Sequence, residues 1–232
     1  MAFPPPGRRR AAVDAALRWR EPATRAASRL VPGDVLWYVD TDAPAFALTF
    51  DDGPDPETTP GLLDVLARHG ARATFFLLGE RARAHPRLVA AVTAAGHEIA
   101  NHLMRDEPSV SLPDPRFRRE LAEASALLTP YGPVRWFRPG SGWFTPRMLR
   151  SAARQNLRPV LGTLAAAHRG GPRDGRIVRT LLVGIRPGSI VVLHEGTPQR
   201  RGVVPATDEL LTALAGPGPA AVTVSELVAL AR

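Results

Sequence analysis

Seven short apolar runs recur along the chain, at 45–50, 73–78, 97–101, 134–138, 158–162, 189–194 and 220–224. Each has the length of a strand, and the stretches between them carry apolar residues at helical spacing. Thr59-Pro60 puts a proline at a first helical position ahead of Leu62, Leu63, Val65 and Leu66, and Gly70 stands where that helix should stop. The segment 86–96 repeats the device. Phe117, Leu121, Ala124 and Leu128 share one face of a helix over 116–128, and Thr145 ahead of Pro146 is a candidate N-cap. Further helices are predicted over 174–185, 206–215 and 225–230. The alternation predicts an α/β fold, and the sequence holds no internal repeat.

Seven β/α units fit either a barrel one unit short of eight or an open doubly wound sheet. The polar residues help to choose. Asp51 and Asp52 follow the first strand, His102 the third, Arg138 ends the fourth, His168 follows the fifth and His194 ends the sixth. Five strand ends converge on one rim in a barrel, whereas the edge strands of an open sheet would hold theirs far apart. A seven-stranded (β/α) barrel, one unit short of eight, is therefore expected, with 33–232 as a single domain and 1–32 as a basic extension rich in Pro and Arg.

Thr49-Phe-Asp-Asp-Gly-Pro54 runs from an apolar strand into two adjacent carboxylates. If both face one pocket, a metal ion on one keeps both ionised and leaves the other as a general base; the alternative is a solvated turn. His102 and Asp106 share a face if their segment turns helically, and with Asp52 they supply one nitrogen and two oxygens. That set suits zinc or another divalent transition metal, the alternative being a local hydrogen-bonded pair. Arg138, in Trp136-Phe-Arg-Pro-Gly-Ser-Gly142, can pin a carboxylate bidentately or form a structural ion pair. The amide of Ser141 can stabilise an oxyanion, and His194, after Ile190-Val-Val-Leu193, can serve as a general acid or as a satisfied strand-end histidine.

In this order, Asp-Asp, His, Arg-Pro and Leu-His resemble the motif series of the polysaccharide deacetylases (carbohydrate esterase family 4, the NodB-homology domain), over about residues 33–232. Thr-Phe-Asp-Asp-Gly-Pro is present whole. The resemblance implies a distorted seven-stranded barrel and removal of N-acetyl groups from an amino-sugar-containing carbohydrate. It implies Asp51 as catalytic base, Asp52 and His102 as metal ligands, Arg138 as the residue orienting the base and His194 as general acid, and Asp106, at the position of the family's further ligand, is expected to complete the metal set. Ser141 and Pro139 fall on the substrate and oxyanion side. Zinc is the first candidate, with cobalt, manganese and nickel behind it. Three departures stand out: Asp106 where the family has a second His, Gly140-Ser-Gly142 where an aromatic residue follows Arg-Pro, and no recognisable Asp to polarise His194. An esterase or amidase acting on another acetylated or cyclic amide substrate, and a non-catalytic carbohydrate-binding barrel, are the rival expectations.

Composition narrows the field further. The chain has no cysteine, which excludes disulfides, thiolate nucleophiles and Cys-ligated metals. Its net charge of +8 is concentrated in residues 1–32, where seven Arg face Asp14 and Glu21. All the basic residues are Arg, which reads as coding bias, and no aromatic stripe accompanies them, so nucleic acid is not an expected partner. No apolar run approaches the ~20 residues of a membrane span, and 11–18, interrupted by Asp14, is too short for a signal-peptide core. A cytoplasmic protein is expected, acting on an acetylated carbohydrate, with its oligomeric state open.

Overall fold

The computed structural model describes residues 35–165, 175–216 and 218–232; the basic extension at 1–32 and His168 lie outside them. Strands β1 (Ala45–Gly53), β2 (Thr74–Leu77), β3 (Glu98–Asn101), β4 (Trp136–Phe137), β5 (Arg158–Pro159), β6 (Leu164–Ala165), β7 (Ile190–His194) and β8 (Ala220–Val222) pair in parallel. Seven of them follow the path β5-β4-β3-β2-β1-β7-β6, curled into a half-barrel, and β8 joins β1 through Ala45 to Ala47. Helices α1 (Thr59–Arg68), α2 (Gly79–Ala84), α3 (Pro86–Ala94), α4 (Asp114–Leu128), α5 (Pro146–Ala153), α6 (Gly175–Gly184), α7 (Val203–Leu214) and α8 (Val224–Ala229) lie between and after the strands. The α/β barrel expectation holds.

Every residue of β1 is buried, because helices cover one face and the barrel interior the other. The two-residue period of a strand sorts its side chains. Phe46, Leu48 and Phe50 pack outward with Leu62, Leu66, Phe75, Leu77 and Val191. Ala45 and Ala47 point inward with Phe76, Ala100, Trp136, Val160 and Ile190, closed by Val224 and Leu227 of α8. Small alanines on the inner face make room for the Phe76 and Trp136 rings, so the lower lumen is filled. Burying each such Phe or Leu contributes about 1.5–3 kcal/mol.

The predicted strand at 158–162 is two pieces. β5 stops at Pro159 beside β4, and β6 starts at Leu164 beside β7. The chain between them crosses from one end of the path to the other, where Leu36 bridges Val160 and the Thr163 hydroxyl donates to the Trp37 carbonyl at 2.8 Å. Gly162 permits the crossing, since a Cβ there would lie 2.2 Å from Val192 Cγ2. The predicted N-cap at Thr145 is formed, its hydroxyl accepting from the Met148 amide at 3.4 Å. Among the described residues, no helix is long and apolar enough to cross a membrane.

Candidate active site

The inward period that sets Ala45 and Ala47 in the lumen continues to Thr49 and Asp51. By the same alternation His102 follows Ala100, Arg138 follows Trp136 and His194 follows Ile190 and Val192. Register then brings them together. Asp51 lies opposite His194 across the β1/β7 ladder, and Asn101 opposite Phe137 sets His102 beside Arg138. The site therefore stands at the C-terminal ends of the strands, above the apolar plug.

Arg138 is buried, and its Nη1 donates to Asp51 Oδ1 at 2.5 Å and to Thr49 Oγ1 at 2.8 Å, while Nε donates to the Val160 carbonyl at 3.2 Å. Its guanidinium lies over the Phe76 ring, 3.9 Å from the centroid. The expected bidentate fork is not formed. One nitrogen serves both partners because Thr49 and Asp51 are successive inward residues of one strand.

Asp52 breaks the strand period. Its φ of 71° and the register shift between Asp51 and Gly53 form a bulge, which turns inward a side chain that regular alternation would point toward the helices. Asp52 Oδ1 then faces His102 Nε2 at 3.1 Å, with no aligned hydrogen-bond donor among the described residues. His102 Nδ1 donates to the Arg138 carbonyl at 2.7 Å, which leaves Nε2 toward Asp52. Burial by itself would raise the Asp52 carboxyl, but the facing His102, with Arg200 and His194 behind it, outweighs burial and holds it at about 2. Burial would likewise discharge His102. The charges of Asp51 and Asp52 and the Arg138 carbonyl overcome it and lift the ring to about 9.

Asp106 does not reach the site as a helical neighbour of His102. Residues 104–107 form bends, after Leu103 at φ 65°. Their backbone groups are engaged elsewhere: the His102 amide donates to Leu77, the Leu103 amide to Asn101 Oδ1, and the Leu103 and Met104 carbonyls accept from Gly79 and Glu80. Asp106 is instead half-exposed, with Oδ2 3.7 Å from Arg200 Nη1, the nitrogen that also donates to Asp52 Oδ2. Among the described residues no three His, Asp or Glu side chains surround one point. Asp52 and His102 thus fit a divalent cation as a facing pair, and Asp106 connects to them through Arg200.

His194 is half-buried, with Nε2 3.9 Å from Asp51 Oδ2, and no carboxylate bonds its ring among the described residues. Pro139 is buried at the end of β4, and Ser141 stands in the short turn Gly140–Gly142, where the Gly140 amide donates to Ser109 Oγ at 2.7 Å. Trp143 follows, 72% exposed, so this loop does carry an aromatic surface, placed after the Gly-Ser-Gly turn.

Two residues of the site escaped the sequence analysis as functional candidates. Glu195 is fully buried under the Asp-Asp-Gly turn, where it accepts from the Thr58 and Thr59 hydroxyls at 2.7 and 2.8 Å. Its amide donates to the Asp51 carbonyl at 3.0 Å, and a Cβ on Gly53 would stand 1.9 Å from its Oε1. Burial pushes its carboxyl up to about 7. Arg200 lies beyond the same strand end. The signal for both was their place in the loop after β7, the feature that singled out His194.

A family model described as polysaccharide deacetylase matches residues 38–160. A chitooligosaccharide deacetylase of Sinorhizobium fredii is 39% identical over 162 residues, 68% of this chain and 75% of that protein. A peptidoglycan-N-acetylglucosamine deacetylase of Bacillus cereus is 34% identical over 204 residues, covering 84% and 93%. Among solved structures, a peptidoglycan N-acetylglucosamine deacetylase in complex with an N-oxidanyl-benzamide superimposes with a TM-score of 0.79 at 28% identity, over 86% of this chain and 96% of that one.

Proposed function

Because this chain belongs to the polysaccharide deacetylase family, we propose that it is a metal-dependent hydrolase that removes N-acetyl groups from an amino-sugar-containing carbohydrate, with Asp51 as its base. The relatives named for chitooligosaccharide and peptidoglycan support the substrate class. The observation that carries the chemistry is a buried carboxylate, Asp51, held by Arg138 at 2.5 Å beside the facing pair Asp52 and His102.

Asp52 and His102 would hold the cation, zinc in the first instance, and Asp106 would join them as third ligand on leaving Arg200. When bound, such an ion polarises an acyl oxygen and lowers the pKa of water, which is what amide hydrolysis near neutral pH needs. Asp51 accepts the proton of the attacking water. Arg138, itself anchored on Thr49, holds Oδ1 of the carboxylate and leaves Oδ2 on the side of His194. The water oxygen bonds to the acetyl carbon, and charge develops on the former carbonyl oxygen. The Ser141 amide, in the turn set by Pro139 and Gly140, stabilises that oxyanion. His194 protonates the nitrogen as the C–N bond breaks, giving acetate and a free amine. Water supplies both the hydroxyl of the acid and, through Asp51 and His194, the proton balance.

Acetate release from N-acetylglucosamine oligomers tests the proposal, run with zinc, cobalt, manganese or nickel added and beside simple esters and cyclic imides. The expected result is metal-dependent acetate from the oligomers. Hydrolysis of esters or imides alone would move the protein to the rival substrate class. Sugar binding with no acetate at any metal supplementation would leave it a carbohydrate-binding barrel.

A further inference from the structure

The loop between β7 and α7 lays a cation on the carboxylate assigned to the metal. Arg200, at the end of the short turn Pro198–Arg200, donates from Nη1 to Asp52 Oδ2, to the Glu195 carbonyl at 3.2 Å, and lies 3.7 Å from Asp106 Oδ2. Its side chain is about three-quarters buried. The loop is placed to deliver it. Gly196, at φ 86°, passes so close to β1 that a Cβ would stand 2.7 Å from the Asp52 carbonyl and 2.0 Å from Arg81 Nη1. On the other flank, Arg201 pairs with the Glu57 carboxylate.

We infer that Arg200 is a built-in counter-cation that competes with the divalent metal for Asp52 and Asp106 and so sets the metal affinity of the site; this rests on the deacetylase reading above. One guanidinium nitrogen links the two carboxylates that would both ligate the metal. Asp52 presents Oδ1 to His102 and Oδ2 to Arg200, so each oxygen of this buried group already faces a nitrogen. A second cation on the same carboxylate meets like-charge repulsion, strengthened by the low local dielectric. Binding the metal therefore requires Arg200 to withdraw. Without metal, Arg200 compensates a carboxylate that would otherwise be buried beside Asp51 with less positive charge to offset it.

Titration of the metal-free protein with Co²⁺, followed by calorimetry and by melting temperature, tests this. Arg200→Gln, with Arg200→Ala as a second neutral variant, is expected to bind Co²⁺ about tenfold more tightly than the parent, roughly 1.4 kcal/mol. The metal-free variants should melt below the metal-free parent, and saturating Co²⁺ should abolish the difference. Equal or weaker Co²⁺ affinity in both variants overturns the inference, since Arg200 would then be neutral toward the metal or would assist it. Asp52→Ala separates this from the underlying assignment. If that variant loses Co²⁺ while the Arg200 variants match the parent, only the counter-cation role falls; if it binds Co²⁺ as the parent does, the metal-site assignment falls and takes this inference with it.

Discussion

Two histidines bracket the third strand and behave in opposite ways. His97 precedes Glu98 on the helix side, packed 5.6 Å from the Phe75 ring, and burial aided by the Arg72 charge drives it down to about 4. His102 follows Asn101 into the lumen, at least as buried, and stands at about 9. Burial is common to both, so burial does not decide the outcome. The carboxylates do: the C-terminal strand ends collect Asp51 and Asp52, whereas the interior near the N-terminal ends is filled by Ala45, Trp136, Ile190, Val224 and Leu227. The histidine that faces paired carboxylates is charged and the one packed among apolar rings and an arginine is discharged, although one strand separates them.

The largest test of this contrast is Asp51→Asn, which should lower acetate release about 10³-fold, within the range for a positioned general base. A loss below about tenfold would place the base elsewhere. Next is the ion pair beneath it. Arg138→Met should destabilise the protein by about 3–5 kcal/mol in urea unfolding, because Asp51 and Thr49 lose a buried partner. At the other end, His97→Leu should cost less than about 1.5 kcal/mol at pH 7, since the ring it replaces is already neutral. Equal losses at the two sites would break the comparison.

The smallest net change is expected in the pH profile of the metal-free parent, where two larger contributions cancel. Glu195 rises from 4.5 to about 7 on folding, so its contribution is full below pH 4.5 and is lost as pH rises through 7. His97 falls from 6.5 to about 4, so its contribution is full above pH 6.5 and is lost as pH falls through 4. Each spans at most about 3 kcal/mol, and between pH 4.5 and 6.5 the two slopes oppose. Urea unfolding of the parent should therefore be nearly level across that window. Glu195→Gln should leave stability climbing with pH, and a profile that stays level in the variant would show that Glu195 does not titrate as a buried acid.

Much of the site was legible in the sequence because it obeys a local rule. Asp51, His102, Arg138 and His194 each end or follow an apolar run, and strand alternation carries their side chains to the inner face of whatever parallel barrel those runs build. The split of 158–162 was not legible, since its cause is the crossing of the chain past Val192 at Gly162. Nor was the course of 102–107. Its backbone follows partners in β2, α2 and the Asn101 side chain, none of them visible from the four-residue spacing of His102 and Asp106.

By itself the sequence determined the α/β order, the apolar filling of the strands and that Asp51, His102, Arg138 and His194 would share a rim, because two-residue alternation and strand ends are properties of short segments. Only the tertiary structure decided that Asp52 turns inward to face His102, that Glu195 buries its carboxylate beneath Gly53 and that Arg200 stands between Asp52 and Asp106. Each of those depends on a bulge or a loop whose path is set by strands more than a hundred residues away in the chain or by neighbours that pairing alone brings into contact.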